Sequence, residues 1–288
     1  MKLANYAQDG KTKAGFVVDS TVYQVRNQSG TPFNSVDEIL DSGSLDWLIS
    51  NHVQVKTPEG TSLRAVKLLS PVLNPEKIYC AAVNYISHGK EQNQAPPTEP
   101  YFFTKFRNSL IAHEDEVIYP RISKQVDWEV ELAVVIGKRG KNIPKDRAMD
   151  YVAGYTISND ISFRDLQKPG MSSYLGQNWV KGKGLDTAFP LGPWLVTKDE
   201  LRDPYSSDIS LTVNGVERQK SKIGEMVFKI DSLIEYVSAD ATLVPGDIIS
   251  TGTPLGVAAF TGAPFLKVGD VMEASIQGIG TLRNKVRA

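Results

Sequence analysis

The chain has 288 residues, 41% hydrophobic and 23% charged, with a formal net charge of −1 at pH 7; this is enough apolar material for one large domain, or one large and one small. The balanced charge leaves no basic surplus for phosphate backbones or anionic bilayers, which argues against nucleic acid and membranes as partners. Cys80 is the single cysteine, which excludes an intrachain disulfide framework or thiolate zinc cluster and fits a reducing, cytoplasmic setting; the N-terminal MKLANYAQDGK turns polar too early for a secretory h-region, and no apolar run nears the ~20 residues of a bilayer span.

From the start, KLANYAQ, KAGFVVD and STVYQV read as short strands separated by the turn signals DGK and DS. Residues 35–40 and 45–49 read as short helical pieces, and Pro71 and Pro75 mark a change of organisation. A boundary near Val72 gives residues 1–72 as a small β-rich N-terminal domain and 73–288 as the larger one. In N-Y-I-S-H-G-K-E, His88 precedes Glu91 by three residues; on a helical turn both share a face, where the carboxylate can hold the imidazole in one tautomer and raise its basicity, as a general base needs. An inactive surface pair has the same spacing. His52 and His113 lack such a partner and read as surface residues. The proline-rich APPTEP at 95–100 is a stiff connector, suited to carrying a loop over something.

Residues 126–137, V-D-W-E-V-E-L-A-V-V-I-G, put three acids on alternate positions and then turn wholly apolar. On a strand, Asp127, Glu129 and Glu131 share one face at roughly 6.5–7 Å spacing, and something positive is expected between the like charges. A half-exposed strand whose acids face water fits this segment equally well. Asp160 ends the alternating run DYVAGYTISND and adds a third carboxylate, although by itself it also suits a helix N-cap. Together Glu129, Glu131 and Asp160 form an all-oxygen ligand set suited to Mg²⁺ or Mn²⁺ and poorly suited to zinc.

Further strand-like runs are EKIYCAAVN, EPYFFTKF, LIAHEDEVIYP, FPLGPWLVT, DISLTVNG with VERQK, GDIISTGTP and DVMEASIQG. Helices are few: 144–151, a turn after Ser162, and 231–238 with Asp231 as N-cap. Asn214-Gly215 between alternating runs predicts a hairpin. The pattern gives a mostly β, β-rich α+β fold with a mixed or antiparallel sheet closing on itself, not a doubly wound one. No G-x-G-x-x-G follows a strand, and GKGLDT lacks the Walker spacing.

The ordered series NYISHGKE, PYFFTKF, VDWEVELAVVIG, VAGYTISNDISFRDLQ, WVKGKGLDT, GPWLVT, PGDIISTGTPLGV and GIGTLRN resembles the fumarylacetoacetate hydrolase family from about Pro71 to the C-terminus. The first 70 residues only loosely resemble the small N-terminal domain of its bacterial and archaeal members. The resemblance implies a mixed β-roll or barrel-like catalytic domain holding one divalent metal, usually Mg²⁺, on Glu129, Glu131 and Asp160. It implies a catalytic dyad of His88 and Glu91, on a loop or short helix folding over the substrate, and substrate contacts from Arg164, Gln167, Lys183 and Thr253. Arg164 can grip a carboxylate bidentately, Lys183 can meet a developing enolate, and TGTP offers a hydroxyl and backbone N–H groups. Each has a blander reading as a surface ion pair or turn residue.

The activity so implied is metal-dependent hydrolysis of a carbon–carbon bond in a β-diketo acid such as an acylpyruvate, through an enolate. Isomerisation of the 2-hydroxyhepta-2,4-diene-1,7-dioate type, oxaloacetate decarboxylation, and binding without turnover stand as alternatives, since likeness of fold does not choose among them. A small-molecule 2-oxo or 2,4-dioxo acid is the implied partner, and a homodimer is implied by resemblance alone. Two departures stand out: Gln277 where many relatives have an acid, and a longer segment 169–177 where the pocket wall is expected, which bears on the substrate rather than the chemistry.

Overall fold

The structure, a computed structural model, describes residues 1–55, 60–93, 95, 97–168 and 176–288. Residues 169–175 of the long segment, Pro96 of APPTEP and the side chain of His52 lie outside the described set.

The architecture is built outward from the strand Val130–Ile136, VELAVVI, buried at every position. Apart from Glu131, it is an apolar run of the kind that suits a strand covered on both faces. It pairs antiparallel with Val152–Asn159 on one side and Ile248–Ser250 on the other. Beyond Val152–Asn159 the sheet passes through Phe189–Thr197 to Lys2–Gln8, Lys11–Val18 and Thr21–Gln24. Beyond Ile248–Ser250 it continues in parallel to Ile78–Ala82, then antiparallel to Tyr101–Thr104. Among the described residues this sheet has 12 strands, and a second has 5: Val216–Lys222, Asp208–Val213, Val271–Ile276, Gly280–Arg287 and Glu116–Ile118. The fold is the mostly β, mixed-sheet class that the alternation predicts.

Alternate residues of the central strand feed different cores, as the two-residue period of a strand requires. Leu132, Val134 and Ile136 join a cluster with Ile209, Leu211, Met272 and Ile276 of the second sheet. Ala133 and Val135 face Leu3, Ile39, Leu48 and Leu195, so the N-terminal residues cover the other side.

Asn214 (φ 52°) and Gly215 (φ 76°) form the expected hairpin turn, with Val213 opposite Val216; both positive φ values are what its tight two-residue connection demands. Other expectations need correction. The helix Ile230–Ser238 begins before Asp231, with Lys229 at the cap position; Asp231 sits in the first turn, where its Oδ1 accepts from Ser232 N at 2.7 Å. The second early helix runs to Leu45–Val55, and Lys145–Tyr151 is a 3₁₀ turn after Pro144. Short helices at Trp179–Lys183 and Ala258–Thr261, absent from the sequence reading, are too brief to show a 3.6-residue period. His113 is half-buried rather than superficial: its Nδ1 accepts from Arg283 N at 3.1 Å, and burial pushes its pKa down.

Gly154 marks a close approach inside the sheet, because a Cβ there would lie 2.1 Å from Val196 O and 2.8 Å from Thr197 Cα on the paired strand. Backbone atoms cannot swing aside. Gly154→Ala is therefore expected to lower the thermal midpoint by several degrees, consistent with the ~1–3 kcal/mol of an overpacked interior; scanning calorimetry showing an unchanged midpoint would contradict this contact.

Candidate active site

The acid-bearing stretch is not one continuous strand. Val126–Asp127 pairs with Ser162–Phe163, the chain leaves the ladder at Trp128 and Glu129, and it re-enters a strand at Val130. Side chains fill the places of ladder bonds: Glu129 N donates to Asn159 Oδ1 at 2.9 Å and Val130 N to Gln219 Oε1 at 3.0 Å. The buried Trp128 indole anchors the break by donating from Nε1 to Gly256 O at 3.1 Å. Asp127, Glu129 and Glu131 consequently do not act as one acidic face. Asp127 accepts from Trp128 N, Ala258 N and Ala259 N, and from Arg164 Nε at 2.8 Å, so it ties down the turn bearing Phe260.

Glu129 and Glu131 instead converge with Asp160: one carboxylate oxygen from each lies within 4.8 Å of the other two, and all three residues are buried. The positive charge expected there is present. Lys183 Nζ stands 2.7 Å from both Glu129 Oε2 and Asp160 Oδ2, and Arg164 Nη2 is 2.6 Å from Glu129 Oε1. Lys105, which the sequence reading did not single out, places Nζ 2.6 Å from Asp160 Oδ1 and donates to Ile161 O and Ala188 O at 2.8 and 2.6 Å. Asp160 is thus no helix cap; both its oxygens face lysines.

Burial alone would raise the Glu129 carboxyl, but the Lys183 and Arg164 charges overcome it and hold that group well below the usual range. Lys183 is raised because Asp160 and Glu129 outweigh the cost of burying its charge, whereas at Lys105 burial wins and the pKa falls. Glu131 differs. Its Oε2 accepts from Ser250 Oγ and from Gly252 N, and among the described residues no basic side chain pairs with it. Burial, with Asp160 and then Glu129 nearby, pushes its pKa up to about 8. A buried carboxylate short of a cation, beside two others and with oxygen donors throughout, fits a hard divalent ion.

The short helix Ile86–Glu91 brings His88 to the same place. His88 Nδ1 lies 3.1 Å from Glu91 Oε2, and Glu91 Oε1 accepts from Gly256 N at 3.0 Å. The other ring nitrogen, Nε2, lies 2.6 Å from Gln92 Nε2. His88, Glu129, Glu131, Arg164, Gln167, Lys183 and Thr253 all line one small cleft of about 70 Å³ that opens to solvent. Glu91 and Asp160 stand behind the lining.

Two of the expected substrate contacts are more committed than their motifs suggest. Thr253 Oγ1 donates to Val130 O at 2.9 Å and accepts from Gln219 Nε2 at 2.8 Å, and the N–H of Gly252 serves Glu131. TGTP therefore spends these groups on holding the acids. Arg164 reaches Asp127 and Glu129 tightly and Gln167 Oε1 loosely, at 3.4 Å. Gln177 lines the cleft from the described end of the long segment, while Gln277 lies away from it, its backbone N–H bonded to Asp208 O.

Residues 77–287 match the family model described as the fumarylacetoacetate (FAA) hydrolase C-terminal domain. The chain belongs to the fumarylacetoacetate hydrolase family. It is 48% identical over 222 residues to a mitochondrial oxaloacetate tautomerase of Homo sapiens, covering 77% of this chain and 69% of that one. Its fold is similar to that of fumarylacetoacetate hydrolase from psychrophilic Exiguobacterium antarcticum, with a TM-score of 0.84 and 33% identity over 100% of this chain and 99% of that one. It is also similar to 2-hydroxyhepta-2,4-diene-1,7-dioate isomerase from Mycobacterium marinum, with a TM-score of 0.78 and 30% identity over 100% and 98%. The family's enzymes thus include hydrolases, isomerases and tautomerases, and they generally use a divalent metal.

The state of Glu131 gives a pH signature. Its carboxyl titrates near 4.5 without the fold and about 8 within it, so its contribution to stability is complete below the lower value and disappears as pH rises to the higher. The metal-free protein is expected to lose thermal stability across that interval. Added Mg²⁺ should remove the loss and, near pH 7, release about one proton per ion bound, measured by calorimetry in buffers of different ionisation enthalpy. No proton release would contradict a protonated Glu131.

Lys105→Met leaves Asp160 Oδ1 and two interior carbonyls without their amine. Breaking such a buried pair costs about 3–5 kcal/mol, so lower thermal stability and weaker Mg²⁺ binding are expected. Wild-type values of both would show that Lys105 is dispensable to Asp160.

Proposed function

We propose that this enzyme interconverts the keto and enol forms of a short 2-oxo dicarboxylic acid such as oxaloacetate, with Mg²⁺ or Mn²⁺ held by Glu129, Glu131 and Asp160. The observation that carries the reading is the placement of one histidine, one lysine and one arginine around the convergent acids in a single small cleft. The likeness to an oxaloacetate tautomerase at 48% identity supports this choice of substrate.

Bound there, a divalent cation supplies Lewis-acid polarisation of a 2-oxo acid. The side chains do the rest. His88, oriented by Glu91, takes the proton from the carbon next to the 2-oxo group, and the imidazolium so formed gives up a proton as the 2-oxo oxygen gains one, the general acid–base role that a positioned imidazole performs. Lys183, buried and charged between Glu129 and Asp160, adds fixed positive potential where negative charge develops on oxygen. Arg164 turns its loosest arm, the one on Gln167, towards the distal carboxylate of the substrate. The Phe260 ring packs against the His88 ring in an edge-to-face arrangement, with centroids 5.9 Å apart.

The likeness to the Exiguobacterium hydrolase favours a second reading, carbon–carbon cleavage of an acylpyruvate-like β-diketo acid, in which His88 would deprotonate water instead. Both readings share the acids, Lys183 and Arg164.

The test is keto–enol interconversion of oxaloacetate, followed by ultraviolet absorbance with Mg²⁺ supplied. Wild type is expected to accelerate it, chelation to abolish the acceleration, and His88→Ala to lower kcat by roughly 10²–10⁴-fold, as for loss of a general base. A metal-loaded His88→Ala variant running at the wild-type rate would refute the role given to His88.

A further inference from the structure

Gln92 closes the C-terminal end of the helix that carries His88, and its side chain lines both the cleft and the adjoining hollow bounded by Ala95, Pro97 and Tyr101. Its amide Nε2 lies 2.6 Å from His88 Nε2. The chemistry of the partners decides which atom carries which hydrogen. The Glu91 carboxylate can only accept, and its second oxygen already accepts from Gly256 N, so ring Nδ1 holds the hydrogen directed at Glu91. A neutral imidazole then has its lone pair on Nε2, and a lone pair calls for an amide N–H rather than an amide oxygen.

A group that gives its proton to a base must lie within roughly 2.6–3.2 Å of the accepting nitrogen. For hydrolysis that group is a water molecule, and Gln92 occupies the place. We infer that Gln92 is a specificity-determining residue that keeps water off the His88 lone pair, so that the base takes its proton from substrate carbon.

The inference rests on the keto–enol reading. In that reaction a proton passes from the carbon beside the 2-oxo group to Nε2, the C–H electron pair forms the carbon–carbon double bond, and the carbonyl pair moves to the 2-oxo oxygen. That oxygen then takes up a proton while the imidazolium gives one up, so the enol has the same atoms as the ketone. The substrate has only to displace the amide. Hydrolysis asks for more room. The proton of water goes to Nε2, its oxygen bonds to the distal carbonyl carbon, and the carbon–carbon bond breaks with its electron pair going to the pyruvate fragment, which the imidazolium then protonates. Substrate and water must both fit where Gln92 now sits.

The experiment compares wild type with Gln92→Ala, and with Gln92→Ser as a second variant should the first fold poorly, all with Mg²⁺ supplied. The ratio of acetylpyruvate hydrolysis to oxaloacetate tautomerisation, each as kcat/KM, is expected to rise about tenfold, the scale of one competing hydrogen bond removed. Nitrogen-15 NMR gives a readout independent of turnover. The chain has three histidines, and the His88 signals are those missing from His88→Ala; the Nε2 resonance should move towards that of a bare lone pair while Nδ1 stays protonated. An unchanged ratio, or an Nε2 resonance that does not move, would overturn the inference. A wild type inert towards oxaloacetate, with an Nε2 resonance that still moves, would overturn the keto–enol reading and the water-exclusion claim while establishing the cap itself.

Discussion

Everything in the cleft depends on a charge lattice buried in the sheet: Asp160 between Lys105 and Lys183, and Glu129 between Lys183 and Arg164. Ions removed from water are tolerable only when each is met by a well-placed opposite charge and its remaining donors are used. That requirement accounts for the surrounding order. Lys105 spends its other hydrogens on two carbonyls, and Arg164 spends its Nε on Asp127. Glu131, outside the lattice of pairs, relies on a serine hydroxyl and one backbone N–H. The arrangement is complete except at that point, which is where the chemistry of a divalent ion belongs.

The lattice also sets the shape of the backbone. An unbroken strand would send the side chains at 127, 129 and 131 to one side at fixed spacing. The break at Trp128 and Glu129 frees Asp127 to fasten a turn near residue 258 while its neighbours turn towards Asp160. Amide side chains from Asn159 and Gln219 make the interruption affordable, because they satisfy the N–H groups that leave the ladder.

How much of this could be read from the chain depended on whether a signal was local. The acids stood out because their type and alternation are visible in twelve residues, and the hairpin because Asn-Gly has a narrow conformational meaning. His88 and Glu91 were legible for the same reason, being one helical turn apart. Lys105 was not: a lysine closing an aromatic strand looks like a solvated end, and only the fold reveals Asp160 beside it. The duty of Asp127 was equally hidden, since its partners are backbone groups some 130 residues later. Thr253 is a substrate contact by resemblance to the family, and only the fold reveals the long-range contacts to Val130 and Gln219 that engage its hydroxyl. Gln92 carried no pattern of its own, since its meaning comes from the ring it touches.

Gly256 joins two halves that would otherwise be independent. Its carbonyl receives the Trp128 indole at the break that aims Glu129, and its N–H holds the carboxylate that orients His88. It sits at φ +108°, with Arg218 O only 2.0 Å from where a Cβ would be, so no residue with a side chain fits there without a shift of the backbone. The acidic and basic sides of the cleft are thus surveyed from a common benchmark.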